Sequence, residues 1–195
     1  MKKERILLVF ISVIVVITMC LSLCACNDTS NTGSNDANSN EETSPAVEKQ
    51  TTPSISIGET VTTDDFEFTL NKVKLSYNVE PDNPPSYYSY YAAEDGQVYI
   101  YINASVKNLS KHDIQCDDIY SVTADYDNGY TYQGFNIITD TDGDFTYANI
   151  NVINPLQTLG VHCLVDCPEE IETSEKPLFI TVKFRDGSEY LYNIR

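Results

Sequence analysis

The chain has 195 residues, 42% of them hydrophobic and none of them Trp, and carries a formal net charge of −17 from 12 Lys and Arg against 29 Asp and Glu. So acidic a polypeptide argues against nucleic acid and against anionic membrane surfaces as docking partners, because both are gripped through basic patches. A cationic partner or divalent cations remain open, and charge of this sign also keeps a protein soluble.

Lys2, Lys3 and Arg5 precede an apolar run from Ile6 to Leu23, and small Ala25 closes it, which is the pattern of a secretory signal over residues 1–25. Leu23-Cys24-Ala25-Cys26 resembles the bacterial lipobox, in which a small residue precedes the cysteine that becomes the lipidated first residue. The resemblance points to Cys26, because Cys24 follows bulky Leu23 and Cys20 follows bulky Met19. Ile6 to Leu23 is 18 residues, near the lower limit for crossing a bilayer, so an uncleaved anchor and plain secretion are the alternatives. All three readings put the remainder outside the cytoplasm. Two or more acyl chains on Cys26 would hold it stably to the outer face of the cell membrane, with the lipid bilayer as its first partner. Removal of residues 1–25 takes away three basic residues and one acidic one and leaves −19.

Residues 26–54 follow as Cys26 and a polar stretch built from Asn, Ser, Thr, Asp and Glu, with Pro45 and Pro53 and no aromatic residue. Such a segment buries too little apolar surface to offset its ordering entropy and is expected to be a disordered tether. A coil of this length spans roughly 30 Å, enough to lift a domain off the headgroups.

Residues 55–195 form one domain of ordinary size. Within Gln97–Asn108 the residues Val98, Ile100, Ile102, Ala104 and Val106 alternate with Tyr99, Tyr101, Asn103, Ser105 and Lys107, predicting a strand with one buried face. Further period-two runs are Phe66-Phe68-Leu70, Val73-Leu75-Tyr77, Tyr120-Val122-Ala124-Tyr126, Val161-Cys163-Val165 and Leu178-Ile180-Val182-Phe184. The change of parity between Leu70 and Val73 predicts a bulge. Asp127-Asn128-Gly129 and Asp186-Gly187-Ser188 predict two hairpins, and Asn154-Pro155 and Cys167-Pro168 mark strand ends. Short strands, turns between them and Tyr, Val and Ile enrichment imply an all-β, antiparallel sandwich.

Gly58-Glu59-Thr60-Val61, a Phe-x-Phe strand, a long loop ending in Glu94-Asp95-Gly96, a strand ending in Val106-Lys107-Asn108 and a strand ending in Asp127-Asn128-Gly129 follow one another. Pro155 to Gly160 then leads into a strand ending at Pro168. This order resembles the immunoglobulin-like, telokin-like domain that recurs in Gram-positive lipoproteins. The resemblance implies a fold and an extracytoplasmic place; it implies no activity and no catalytic residues. The Tyr-rich loop and the cysteines depart from the pattern.

Three residue groups invite a chemical reading. Cys116, Cys163 and Cys167 could form a disulfide outside the cell. Cys163 and Cys167 lie four residues apart on one strand, roughly 13 Å, too far to bridge each other. Cys116 is therefore one partner. If Gln97–Asn108 pairs antiparallel with Val161–Cys167, Cys116 lies closer to Cys163 than to Cys167, so Cys116–Cys163 is the expected pair, with buried reduced thiols as the alternative. His112 and His162 beside these cysteines suggest metal or thiol chemistry, but neighbouring strand residues face opposite ways and disfavour both. Asp140, Asp142 and Asp144 alternate in a way that suits Ca²⁺, although Gly143 and Asn151 depart from an EF-hand; the alternative is an acidic turn. Finally Glu80 to Gly96 carries Pro81, Pro84, Pro85, Tyr87, Tyr88, Tyr90 and Tyr91 between two strands, and is either a binding loop or a lid folded over the sandwich. Together these features point to a non-enzymatic, membrane-tethered module that binds an envelope or extracellular protein through Tyr87, Tyr88, Tyr90 and Tyr91. A Ca²⁺- or glycan-binding wall module is the alternative and a surface enzyme the remote one.

Overall fold

The computed structural model describes residues 52–195. The signal segment, Cys26 and the tether as far as residue 51 lie outside the described residues. Two antiparallel sheets face each other. The centre of one is β2 (Phe66–Ser76), β5 (Gln97–Asn108) and β11 (Thr158–Pro168), with β1 (Thr60–Thr62) beside β2. On the far side of β11 come residues 134–139 of β8 (Tyr130–Thr139) and then β9 (Phe145–Tyr147). The opposite sheet runs from residues 130–133 of β8 through β7 (Tyr120–Tyr126) and β12 (Leu178–Phe184) to β13 (Glu189–Asn193). The remaining pieces are two small ladders, β3 (Asn78–Val79) with β4 (Tyr91–Ala92) and β6 (Ile114–Gln115) with β10 (Val152–Ile153), and the helical turn α1 (Glu170–Thr173). The expected all-β sandwich is what forms.

The alternating residues read from the sequence line the space between the sheets. Phe66, Phe68, Leu70, Ile100, Ile102, Val161, Val165, Val122, Ile180, Val182 and Phe184 are all buried there. Phe184 of one sheet meets the edges of Phe66 and Phe68 of the other at 5.5 and 4.9 Å. A buried tyrosine pins the sheets, with the Tyr120 hydroxyl donating to the Val161 carbonyl at 2.9 Å. The bulge falls at Asn71, where the β2–β5 register shifts between Leu70 and Lys72. Asp127 and Asn128 both take φ of 55° in the β7–β8 hairpin, a left-handed pair that these residue types tolerate. The β12–β13 hairpin also forms, with Gly187 at φ 88°.

β8 serves both sheets, and Gly134 sits where it changes partner. A Cβ at Gly134 would lie 2.4 Å from the Cys163 Sγ, 3.1 Å from Val165 Cγ2 and 3.2 Å from the Leu164 carbonyl oxygen. Gly134→Ala is accordingly expected to cost about 2 kcal/mol by overpacking. Removing the offending sulfur with Cys163→Ala should make the same glycine change markedly cheaper in a urea-melt double-mutant cycle. Equal costs in both backgrounds would refute the contact.

At the other lateral edge the chain enters. The Pro53 carbonyl accepts from the Leu191 amide, the Ile55 amide donates to the Leu191 carbonyl, and Ser54 bridges Leu191 in parallel. Pro53 and Ser54, tether by composition, therefore already pair with the domain. The chain then crosses to β1, so β1 and β13 share one lateral edge while β8 and β9 form the other.

The expectation of one buried face on β5 is corrected. Tyr101 and Asn103, on its outer face, are 2% and 6% exposed. The Glu80–Gly96 loop lies over them and forms a second apolar layer from Val79, Tyr101, Ile137, Phe145 and Leu164, with Tyr91 and Tyr99 against it.

Candidate functional site

The tyrosine-rich loop leaves β2, makes the short β3–β4 ladder and returns into β5, so it is fixed at its base. Two further contacts hold its middle. The Ser89 amide donates to Asp144 Oδ1 at 2.7 Å, and Gly143 approaches Asn83 so closely that a Cβ would stand 2.9 Å from the Asn83 carbonyl oxygen. Pinned this way, the loop divides its tyrosines. Tyr91 turns inward and packs on Phe135 and Phe145 at ring-centroid distances of 5.7 and 6.2 Å. Burial pushes the Tyr91 and Tyr99 hydroxyls above the ordinary tyrosine range. Tyr87, Tyr88 and Tyr90 turn outward, 93%, 38% and 58% exposed. The loop thus covers the sheet through Tyr91 and leaves Tyr87, Tyr88 and Tyr90 at the surface.

The outward tyrosines do not stand alone. Ser89, Tyr90, Tyr91, Phe145, Thr146 and Tyr147 line a surface groove of about 360 Å³ between the loop and β9. Tyr147 and Phe135 are themselves 66% and 42% exposed. The composite is an aromatic edge running from the loop across β9 to β8. Neither Tyr147 nor Phe135 stands out in the sequence, because only the pairing of β9 with β8 brings them beside the loop.

Under the loop a chain of polar groups crosses the outer face of the sheet. Thr139 Oγ1 lies 2.7 Å from His162 Nε2, and His162 Nδ1 lies 3.1 Å from the Tyr101 hydroxyl. Asn103 Nδ2 donates to that hydroxyl at 3.3 Å and to Asp82 Oδ2 at 3.0 Å, and Lys72 pairs with Asp82 Oδ1 at 3.3 Å. Burial disfavours the charged imidazole, so His162 is neutral near pH 7, with one ring nitrogen donating and the other accepting along the Thr139–His162–Tyr101 chain. Burial pulls the His162 imidazole down to about 4; Asp82 opposes the shift and Lys72 adds to it.

The Ca²⁺ expectation is corrected. Asp140 Oδ1 accepts from the Asp142 and Asp144 amides, and Asp144 Oδ1 accepts from Ser89 and Phe145, so these carboxylates build the turn and its loop anchor. Among the described residues no group of three or more His, Cys, Asp and Glu is gathered as a metal ion requires. The expected Cys116–Cys163 disulfide is also absent: Cys116, Cys163 and Cys167 are free and buried. Burial holds their thiols protonated, Cys116 near 11 and Cys167 near 12, and Cys163 higher still. Thiolate chemistry has no foothold there. His162 faces the outer layer while Cys163 faces the main core, as strand alternation demands.

The chain is similar to an uncharacterised β-sandwich protein from Clostridium difficile 630, at 39% identity and a TM-score of 0.73, over 78% of this chain and the whole of that one. A conserved hypothetical protein from Bacillus anthracis matches at 17% identity and a TM-score of 0.48, over 72% of this chain and 94% of that one. No protein-family model matches the chain, and no curated protein does.

Proposed function

Since the chain belongs to the family of that Clostridium difficile β-sandwich protein, we propose that it is a non-enzymatic binding module of the telokin-like lipoprotein kind, anchored through Cys26 to the outer face of the cell membrane. Its aromatic β8–β9 edge engages a protein of the envelope or the extracellular space. The observation that carries this reading is the pair of solvent-exposed rings at Tyr90 and Tyr147 lining one groove, with half-exposed Phe135 against Tyr91 of the same lining. Exposed aromatic clusters of this kind mark interaction surfaces, since rings give large contact area with few torsions to freeze. Chain entry supports the same reading. The tether joins at the β13 edge, and the aromatic edge is the opposite one, so a domain tied to a bilayer at Pro53 has its rings free to meet a partner.

Photocrosslinking in living cells tests it. A crosslinker at position 90 or 147 should give a discrete protein adduct, and one at Ile57, near the entry edge, should not. Cys26→Ala should release the protein from membranes to the medium or leave an unprocessed precursor. Adducts from all three positions, or none from any, would defeat the interaction face; processed Cys26→Ala protein that stays on membranes would defeat the anchor.

A further inference from the structure

Resting on the reading of the β8–β9 edge as the interaction face, we propose that its occupant is a cationic polypeptide segment, rich in Arg or Lys, lying across the groove lined by Tyr90 and Tyr147. The sequence distributes charge very unevenly about the sandwich. Residues 75–106 and 112–175 supply the loop, β5 up to Val106, β7, β8, β9 and β11, and they contain seventeen Asp and Glu but no Lys or Arg. The cations of the domain lie instead on β2, at the end of β5, around β12 and at the C-terminus. Most of them already face carboxylates: Lys72 to Asp82, Lys107 to Glu67, Lys176 to Asp127, Lys183 to Glu189 and Arg185 to Asp65. The elements that build the aromatic edge thus carry acidic residues and no Lys or Arg of their own, with the Asp140–Asp144 turn running directly into β9.

Ring faces and carboxylates together favour a guanidinium or ammonium over a neutral ligand, because the cation is attracted by the ring quadrupole while its hydrogens reach the acid. The molecule makes such a site internally. Lys176 sits over the Tyr126 ring at 5.6 Å and pairs with Asp127 at 2.7 Å. Tyr90 and Tyr147 line one groove, with Asp144 hydrogen-bonded to Ser89 of the same lining, and offer comparable ingredients to an outside chain.

Backbone pairing is a poor alternative at this edge. The Phe145 amide is taken by Asp144 Oδ1 and the Tyr147 carbonyl by the Asn151 side chain, each at 2.7 Å, so a strand of only three residues has two of its backbone groups already occupied. Recognition therefore runs through side chains.

The test uses the full-length chain, labelled with ¹⁵N, and a ten-residue peptide of alternating Arg and Gly, with Gln-for-Arg and Glu-for-Arg versions beside it. The Arg peptide should shift the amides of Ser89, Tyr90, Thr146 and Tyr147. Its Kd should weaken at least tenfold between 50 and 300 mM NaCl, as screening predicts for exposed charges. Tyr90→Ser with Tyr147→Ser should weaken it at least tenfold, and Ile57→Ser should not; these side chains are exposed, so the fold is retained. Equal binding of the Gln peptide, shifts centred on Glu169–Glu175 instead, or no shift at millimolar Arg peptide would each overturn the inference. Crosslinked protein at position 147 in cells alongside any of those results would leave the edge an interaction face and remove only its cationic occupant.

Discussion

Asn108→Ala is expected to destabilise the domain by about 4 kcal/mol, more than any other single side-chain truncation we consider. Asn108 is fully buried at the end of β5. Its Nδ2 donates to the His112 carbonyl at 2.7 Å and the Ile153 carbonyl at 2.8 Å, and its Oδ1 accepts from the Ser110 amide at 2.8 Å. One side chain thereby shapes the turn after β5 and ties it to β10. Each bond contributes about 1 kcal/mol net, and a buried carbonyl left without a donor costs about 1–3 kcal/mol more. Asn108→Asp discriminates this account from simple loss of volume. The isosteric carboxylate keeps the acceptor for Ser110 but aims negative charge at two carbonyl oxygens, so at pH 7 it should be no better than Ala. It should recover partly at acid pH, where the protonated group regains one donor. Chemical denaturation of both variants at pH 7 and 4.5 measures this, and a mild Asp variant at pH 7 would refute the assignment.

His162 is expected to make stability fall by about 3 kcal/mol as pH drops from 7 to below 4. In the unfolded chain an imidazole titrates near 6.5, whereas burial brings it down to about 4 in the fold. Between these values the unfolded state binds a proton that the folded state refuses, so stability is complete above 6.5 and is lost on acidification. The chemistry is local. An imidazolium donates from both ring nitrogens, so neither the Thr139 nor the Tyr101 hydroxyl could then donate to the ring, which is buried against Phe145. Asp82 and Lys72 act on the ring with opposite signs. Asp166, raised by burial, works slightly against the trend. The decisive comparison is the pH slope of wild type against His162→Gln, which keeps hydrogen-bonding groups but cannot charge. Equal slopes would remove His162 as the cause.

The legible parts of the fold were those with a constant face. β2, β5, β7, β11 and β12 each keep one row of side chains in the core, and alternation reveals them. β8 was not legible because it changes sheet at Gly134, so neither row stays inside; its exposure alternates at first and then ends in buried Ile137 and Ile138. The outer layer was hidden for a related reason. Tyr101 and Asn103 alternate with core residues as solvent-facing residues do, and only the return of the loop over them makes that face an interior. Within the loop, composition marked four tyrosines alike. The split between inward Tyr91 and outward Tyr87, Tyr88 and Tyr90 comes from tertiary anchors at Ser89 and Asn83, which have no sequence signature. The acidic turn and the cysteines show the converse: residue types suited to Ca²⁺ or a disulfide were committed to backbone hydrogen bonds and core packing.

The three free thiols in the core also govern how the domain behaves once it loses its shape. In an oxidising medium folding shields them, and unfolding releases them into one flexible chain. A Cys163–Cys167 bridge formed there closes a loop of a few residues, whereas the native strand holds the two about 13 Å apart, beyond what a disulfide spans. A chain cross-linked in this way has no route home. In such a medium its lifetime is thus set by the rate of first unfolding rather than by the folding equilibrium, and the burial of Cys163 and Cys167 acts as a clock as well as a core.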